Sequence, residues 1–402
     1  MKNKTSYKSY NNKKFIKFII FFSRFIFLMF CIIINYNFNK KQNISIYFKD
    51  ISLSYYKKYV SDCYKLKKYK RKNIKNKLPY FCICLPTYNM EKYIRSTILS
   101  IMNQSFQNFE IVIVNDYSND NTLNIIKEIK NNKIKIINHS KNLGVFASRV
   151  DCILNSSGKY IILMDPDDLL LNPNLLEYLY NYNLEHNLDI IEFTKFCYLE
   201  KKKYLYKNNH FYHYHNFSDK IINQPQLSDL LFYIPNTKKY SKIFCASSHN
   251  KIFRKEILLK SVNYIGKDYY KEFFITAEDT FINLISYQFA NNYSNINYTG
   301  YMYNIRENSM THGKKKKKEK ILFAYNYLLF NKILYHLIKD FNKDINFLFY
   351  DLKRTNSHLL ELKKLSKNLK SQVNEFYKEV RKDKNISKEF NDFLLNLLKK
   401  SN

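Results

Sequence analysis

The chain has 402 residues, enough to bury the core of one large domain with appendages. Lysine and arginine total 67 against 34 aspartate and glutamate, which gives a formal net charge of +33. The chain has only 5 glycines and no tryptophan, and Lys, Asn, Ile, Tyr and Phe are in excess. The bias therefore affects the whole composition and not the basic residues alone. We interpret the charge as spread over the solvated surface, which argues against a nucleic-acid-binding face and still favours anionic partners such as sugar nucleotides or lipid headgroups.

The N-terminal segment predicts a membrane anchor. An apolar run from Phe18 to Ile34, interrupted only by Ser23 and Arg24, is close to the shortest length that spans a bilayer. Lysines precede this run and the first acidic residue is Asp50, a distribution that keeps the N-terminus cytoplasmic. Arg24 lies near the cytoplasmic end, where its side chain can reach the interface. Because no small-residue cleavage site follows, we expect an uncleaved signal anchor, with a peripheral aromatic helix as the alternative.

Composition and periodicity divide the chain into four parts. Residues 1–38 are the expected cytoplasmic tail and anchor helix, and residues 39–78 are a Lys-, Tyr- and Asn-rich stem. Residues 79–312 are an ordered α/β domain, and residues 313–402 are a helical C-terminal region. We therefore expect a single-pass type II membrane protein whose ordered domain is luminal, in the endoplasmic reticulum or Golgi if the cell is eukaryotic.

Continuous apolar runs alternate with helical periodicity from Pro79 onward. Four buried strands are predicted, at residues 80–85, 109–114, 133–137 and 160–164, with the first stopped by Pro86. Apolar strands separated by helices are typical of a doubly wound, mostly parallel α/β sheet, which binds ligands beyond the carboxyl ends of its strands. Polar residues follow three of the four strands at this edge: Thr87, then Asn115 and Asp116, then Asp165.

The second half of the domain has a weaker pattern. A helix begins near Asn172 and Pro173 and a further strand is predicted at 188–193, but residues 194–248 have no clear periodicity. Helical periodicity returns in three stretches, 249–260, 277–290 and 321–338.

Asp165 to Asp168 place three carboxylates within four residues at the end of a strand. Like charges this close repel each other, so either water or a cation must offset them. Mg²⁺ and Mn²⁺ prefer carboxylate oxygens and share them with substrate phosphates. An acidic turn before a helix would account for the same residues. Only their position after an apolar strand favours a metal site.

Two further acidic segments also have two interpretations. Asp116 lies in an Asx-rich segment that is typical of a helix start, or it accepts a hydrogen bond from a nucleobase. Thr276 and Asp279 are spaced as a capping box, or Asp279 is a general base that takes a hydroxyl proton. The sequence alone does not separate these alternatives.

Taken together, the segments between residues 80 and 310 resemble glycosyltransferase family 2, inverting enzymes with the nucleotide-sugar-binding GT-A fold. The elements occur in the order that is typical of the family, and they are the segments 84–89, 104–120, 142–149, 165–167, 250–254, 278–279 and 303–309. Three features depart from the family: Asn115 and Tyr117 replace its usual acidic residue and glycine, the Trp-containing motif of processive members is missing, and so is the multi-span region of membrane-embedded polymerases. The second departure argues for transfer of a single sugar.

The resemblance implies a role for each motif. Asp165 and Asp167 would hold Mn²⁺ or Mg²⁺, and Asp279 with Glu278 would form the catalytic-base motif. The residues expected to bind the nucleotide sugar are Pro86, Thr87, Tyr88, Asp116, Arg149, Asp165 and Arg306, with His312 as a further candidate cation. Asp168 would serve the turn or support the ligands.

The resemblance also implies the partners. We expect a nucleotide-diphosphate sugar, UDP-sugar favoured, as donor and a glycan, lipid or protein hydroxyl as acceptor, with residues 194–248 as an acceptor-side insertion. The alternative is a non-catalytic sugar-nucleotide or glycan-binding protein on a degenerate transferase fold. No nucleic-acid partner is expected, since the sequence has no recognisable module for one.

Overall fold

The computed structural model describes residues 78–201, 204–207, 220–227, 247–270, 272, 274, 278–306, 317–343, 348, 352 and 367–399. The expected anchor, nearly all of the stem, much of the expected acceptor-side insertion, Thr276 and His312 lie outside the described residues.

The first half of the domain alternates strand and helix as predicted. Its elements are β1 (Phe81–Thr87), α1 (Ile94–Met102), β2 (Phe109–Asn115), α2 (Thr122–Glu128), β3 (Ile134–Asn138), α3 (Val145–Asn155) and β4 (Tyr160–Leu163). The first strand does not stop at Pro86, as predicted, but continues to Thr87, with Pro86 opposite Val114 of β2. Because β4 pairs with β1 only as far as Cys84, a residue without an N–H is tolerated at Pro86 on that open side.

The remaining elements complete a mixed sheet and a set of helices. They are β5 (Leu169–Leu170), α4 (Leu175–His186), β6 (Ile190–Leu199), β7 (Tyr204–Lys207), β8 (Ile221–Asn223), β9 (Lys251–Arg254), α5 (Lys255–Tyr270), α6 (Glu278–Phe289), β10 (Asn292–Ile305), α7 (Lys317–Asp340), α8 (Lys367–Arg381) and α9 (Lys388–Lys399). The predicted helix at 249–260 is wrong in its first part, because Lys251–Arg254 form a strand that pairs antiparallel with both β4 and β6.

Ten strands of the described residues form one sheet in the order β3-β2-β1-β4-β9-β6-β10-β5, with β7 on β6 and β8 on β10. The first four strands in this order are parallel, as predicted, so the ends of β2, β1 and β4 meet at one edge. The antiparallel strand β9 separates them from β6 and β10, which are parallel to each other. The fold is therefore a mixed α/β sheet with a parallel half.

Side chains of the parallel strands alternate between two cores. Cys82, Cys84 and Leu163 face one core, while Phe81 and Ile83 face the other. Buried residues of α7, α8 and α9 belong to the first core together with α3, α5 and α6. The C-terminal helices that the sequence predicted are therefore present, and their buried residues share the core of the domain.

Helix α7 is the one helix of the described residues that is long and apolar enough to cross a membrane, over residues Glu319–Asp340. Length and composition alone are weak evidence for a span, and 61% of its apolar window is buried inside the protein. Leu328, Leu334 and Leu337 are at most 1% exposed and contact the core. These contacts are typical of a core helix.

Candidate active site

The ends of three neighbouring strands bring the predicted polar residues to one edge of the sheet. Thr87 pairs with Asn115 at the ends of β1 and β2, and β4 ends two residues before Asp165. Thr87 and Pro86 are buried, and the carbonyl oxygen of Thr87 accepts a 2.8 Å hydrogen bond from the backbone N–H of Asp116. This edge is where the sequence predicted the ligand site.

The carboxylate of Asp116 is buried and holds the turn before helix α3. Its Oδ1 accepts a 2.8 Å bond from the N–H of Leu143, and its Oδ2 accepts a 2.8 Å bond from the N–H of Gly144. A third bond of 2.7 Å joins Oδ1 to Nδ1 of His139. Gly144 has φ 91°, a conformation that favours glycine, and so permits its N–H to reach the carboxylate. Three of the roughly four acceptor positions of Asp116 are therefore used within the protein.

Two tyrosines are exposed at this edge. Tyr88 follows β1 and is 42% exposed, and Tyr117 follows Asp116 and is 57% exposed. Tyr117 has φ 62°, in the left-handed region where glycine is the residue with least strain. The backbone at Tyr117 thus has a conformation that favours glycine, although the residue at this position is a tyrosine.

Arg149 is buried and joins three carboxylates. Its Nη2 lies 2.8 Å from Asp165, 3.2 Å from Asp279 and 3.6 Å from Glu278. Burial raises the pKa of Asp165 to about 6, although the guanidinium of Arg149 lowers it. Burial also raises the pKa of Glu278 to about 8, with Asp279 adding to the shift and Arg149 opposing it. At this site three carboxylates therefore surround the single guanidinium of Arg149.

Asp167 is paired with Arg306. The Nε of Arg306 lies 2.5 Å from Oδ2 of Asp167, and the guanidinium stacks 5.0 Å from the ring centroid of Tyr93. Burial raises the pKa of Asp167, and Arg306 opposes the shift. Arg306 directly follows the long strand β10, so the pair connects the end of that strand with the acidic segment after β4.

The contacts of Asp168 give it a structural role. It is fully buried, and its two oxygens accept a 2.5 Å bond from the hydroxyl of Tyr301 and a 2.7 Å bond from the backbone N–H of Asn304. Burial raises the pKa of Asp168 well above its usual range, and Asp167 and Asp165 add to the shift. The sequence interpretation of Asp168 as a turn or supporting residue agrees with these contacts.

Helix α6 begins at the predicted catalytic-base motif. Glu278 is 8% exposed, and Oδ1 of Asp279 accepts a 2.6 Å bond from the hydroxyl of Ser248. Ser248 also accepts a 3.1 Å bond from Nη1 of Arg149, so hydroxyl, guanidinium and carboxylate form one hydrogen-bonded group. The alternative capping box depends on Thr276, which lies outside the described residues.

The structure adds residues that the sequence did not indicate: Ser248, His249 and Lys195. Nζ of Lys195 lies 2.7 Å from Nε2 of His249, whose ring stacks between Tyr301 and Tyr303. Burial and the charge of Lys195 hold the pKa of His249 well below its usual range, so the imidazole is neutral. None of these single polar residues has a pattern in the sequence that could have identified it.

His249 also belongs to a possible metal-binding group. One donor atom from each of Asp165, Asp168 and His249 lies within 4.8 Å of the other two. The oxygens of Asp168 are bound by Tyr301 and Asn304, as described above, and Nε2 of His249 faces Lys195. Asp165 is 27% exposed and keeps a surface that a cation can reach.

Comparison with known proteins places the domain in a family. The family model "Glycosyl transferase family 2" matches residues 82–261. The chain is 26% identical over 234 residues, 57% of its length, to the glycosyltransferase GlyA of Streptococcus pneumoniae, of which the match covers 31%. It is also 37% identical over 114 residues, 27% of its length, to the poly(ribitol-phosphate) beta-N-acetylglucosaminyltransferase TarP of Staphylococcus aureus, of which the match covers 34%. The chain thus spans about a third of the length of these two relatives.

A solved structure shares the fold. The structure of S. aureus TarS 1-349 in complex with UDP-GlcNAc matches 80% of this chain and 88% of its own, with a TM-score of 0.51 and 20% sequence identity. Residues 82–261 of the chain are therefore a family 2 glycosyltransferase domain, built on the GT-A fold.

Proposed function

We propose that the chain transfers a single sugar from a nucleotide-diphosphate donor, with a UDP-sugar favoured, to a hydroxyl acceptor, with inversion and with a divalent cation bound. Helix α3 carries the proposal. Gly144 at its N-terminus binds Asp116, and Arg149 binds Asp165 and Asp279. Arg149 lies five positions after Gly144, which places it about 7.5 Å further along the helix axis. A base at Asp116 and a diphosphate near Asp165 fit such a spacing.

The contacts of Asp116 favour uracil as the base. Three acceptor positions are occupied by His139, Leu143 and Gly144, which leaves one on Oδ2. Uracil presents a single ring N–H, which one acceptor satisfies. Guanine presents a ring N–H and an adjacent amino group, which a carboxylate satisfies best with both oxygens. The remaining capacity of Asp116 therefore matches a uridine donor.

The donor set fits a hard divalent cation. Asp165 and Asp167 offer oxygen ligands, and burial raises the pKa of both carboxyls, a cost to their charged forms that a bound cation would offset. Asp168 is the weaker candidate ligand because protein donors bind both of its oxygens. We therefore keep Asp165 and Asp167 as the proposed ligands. A bound Mn²⁺ or Mg²⁺ would stabilise the negative charge that develops on the leaving diphosphate.

Two buried donors are suited to the oxygens of the donor substrate. Nε of Arg149 and Nδ1 of His249 have no hydrogen-bond partner among the described residues. Since Nε2 of His249 faces the ammonium of Lys195, its proton lies on Nδ1. A buried donor without a partner is costly, so phosphate or sugar oxygens of the donor substrate would satisfy each of these groups.

Asp279 is the proposed base. It would take the proton of the acceptor hydroxyl while the acceptor oxygen bonds to the anomeric carbon and the bond to the diphosphate breaks. Attack from the face opposite the diphosphate inverts that carbon. Arg149 and Ser248 hold the carboxylate of Asp279 in place, and Glu278 lies beside it. The acceptor is a glycan, lipid or protein hydroxyl, and residues 1–38 would anchor the domain to a membrane.

Binding of nucleoside diphosphates tests the donor assignment. Isothermal titration of the full-length chain with UDP and GDP in Mn²⁺ should give tighter binding of UDP. Asp116→Asn replaces the free acceptor with an amide and should weaken UDP binding by about tenfold. Asp392→Asn, at an exposed carboxylate of α9, is the matched control and should bind as the wild type does. Equal UDP affinity in Asp116→Asn, or tighter binding of GDP, would contradict the assignment.

A further inference from the structure

We infer that His139 is a positioning residue for nucleobase recognition, which holds the carboxylate of Asp116 in the orientation that leaves one acceptor for the base. The inference rests on the proposed function, because it concerns the base of the nucleotide donor. Neither the sequence motifs nor the family resemblance singled out His139.

The imidazole of His139 lies between two carboxylates. Nδ1 lies 2.7 Å from Oδ1 of Asp116, and Nε2 lies 2.9 Å from Oδ2 of Asp151. The ring is buried, with 6% of the side chain exposed. Each ring nitrogen is therefore within hydrogen-bonding distance of a different carboxylate oxygen, and the ring is held between the two.

Both ends of this arrangement are fixed to the fold. The backbone N–H of His139, directly after β3, donates a 3.0 Å bond to the carbonyl oxygen of Asn115 in β2. Asp151 lies in α3 and accepts a 2.6 Å bond from the hydroxyl of Tyr270 at the end of α5. The ring therefore has a defined place and cannot swing away from Asp116 without also breaking its bond to Asp151 of α3.

This geometry acts on the acceptor that remains on Asp116. The backbone N–H groups of Leu143 and Gly144 each bind a different oxygen of the carboxylate. The ring of His139 adds a second contact to Oδ1 and fills that oxygen. The open position is therefore confined to Oδ2. Without the imidazole, Oδ1 would regain a free acceptor position, and the carboxylate could rotate and accept from bases with a different donor pattern.

The test compares four nucleotides in matched variants of the full-length chain. UDP, CDP, GDP and ADP are titrated in Mn²⁺ against the wild type, His139→Phe and Asp151→Asn. His336→Phe, at an exposed histidine of α7, is the control. His139→Phe should weaken UDP binding by about tenfold and reduce the preference for UDP over the other three. Asp151→Asn should shift both quantities in the same direction by about threefold, since the amide oxygen still accepts from the ring.

A double-mutant cycle separates positioning from a general structural role. If His139 acts through Asp116, His139→Phe in an Asp116→Asn background should change UDP affinity by less than about twofold. Donor turnover should show a raised KM with kcat within about twofold of the wild type. A role in stability alone would weaken all four nucleotides equally and would add to the effect of Asp116→Asn.

If the wild type binds UDP and both His139→Phe and Asp151→Asn bind it with unchanged affinity, this inference is overturned. The proposed function is not affected by that result. An equal loss for all four nucleotides would also overturn it. If the wild type binds none of the four, the proposed function fails, and this inference fails with it.

Discussion

Nη2 of Arg149 lies 3.2 Å from Oδ1 of Asp279, which joins helix α3 to the first turn of helix α6. Burial alone would lower the pKa of Arg149, but the carboxylates of Asp279, Asp165 and Glu278 outweigh it and raise the pKa. A buried guanidinium without such partners would be costly. The arginine therefore connects the proposed metal-binding segment with the proposed base.

Asp279→Asn should abolish sugar transfer and leave UDP binding within about threefold of the wild type, because an amide cannot take the acceptor proton. Ser248 and Arg149 still contact the side chain at this position, so the fold should be kept. The assay measures glycosylated product for transfer and titration of UDP for binding. Asp392→Asn is the matched control for a lost carboxylate. Undiminished turnover in Asp279→Asn would exclude Asp279 as the base.

Asp167→Ala should remove Mn²⁺-dependent activity, because it removes a proposed cation ligand and the partner of Arg306. Asp167→Asn keeps one oxygen and should retain more metal affinity than the alanine variant. Mn²⁺ binding is measured by the loss of free-ion electron paramagnetic resonance signal during titration. Equal Mn²⁺ affinity in wild type and Asp167→Ala would show that Asp167 is not a ligand.

Asp168→Ala should destabilise the domain by about 2–4 kcal/mol, because it leaves two buried donors without partners. These donors are the hydroxyl of Tyr301 and the N–H of Asn304. Asp168→Asn keeps an oxygen for Asn304, and its amide can donate to Tyr301. Its cost should therefore stay within about 1 kcal/mol. Urea unfolding of the two variants checks the difference, and equal losses would contradict the assigned contacts.

Glu278→Gln should reduce the pH dependence of stability. Burial raises the pKa of Glu278 from 4.5 to about 8, so the folded state holds this proton more tightly than the unfolded state. Stability therefore falls as the pH rises from about 4.5 to about 8, by at most about 1.4 kcal/mol per pH unit for one proton. Glutamine does not titrate, and the variant should lose less stability over this window.

Urea unfolding of the metal-free protein at pH 5 and pH 8 measures this effect. Glu256→Gln, at an exposed glutamate of α5, is the control and should follow the wild type. A pH dependence in Glu278→Gln that equals that of the wild type would assign the titration to another group.

The sequence predicted the parallel half of the sheet because each of its strands is an uninterrupted apolar run. Asp116 and Asp165 could be assigned to one edge for the same reason, since the ends of parallel strands meet there. The second half was harder. Strand β10 alternates asparagine and tyrosine with few aliphatic residues, and β9 has only 4 residues before a helix. The sequence of β10 lacks the apolar run or alternation that identifies a strand, and β9 is too short to show one.

The partners of the site residues could not be predicted. Arg149 was expected near a diphosphate, and the structure shows it bound to carboxylates from a helix that begins more than a hundred residues later. Ser248 is the last residue of the stretch without clear periodicity, 194–248, and His249 begins the stretch that was predicted as a helix. Contacts between distant single residues depend on packing, which a local pattern does not encode.

Release of nucleoside diphosphate from nucleotide sugars tests the central claim most directly. The full-length chain is incubated with a panel of UDP-, GDP- and CDP-sugars in Mn²⁺, with and without a chelator, and free diphosphate is measured. We expect release of UDP from at least one UDP-sugar, lost with the chelator and in Asp165→Asn. Release that persists with the chelator and in Asp165→Asn, or no release from any sugar nucleotide, would contradict it.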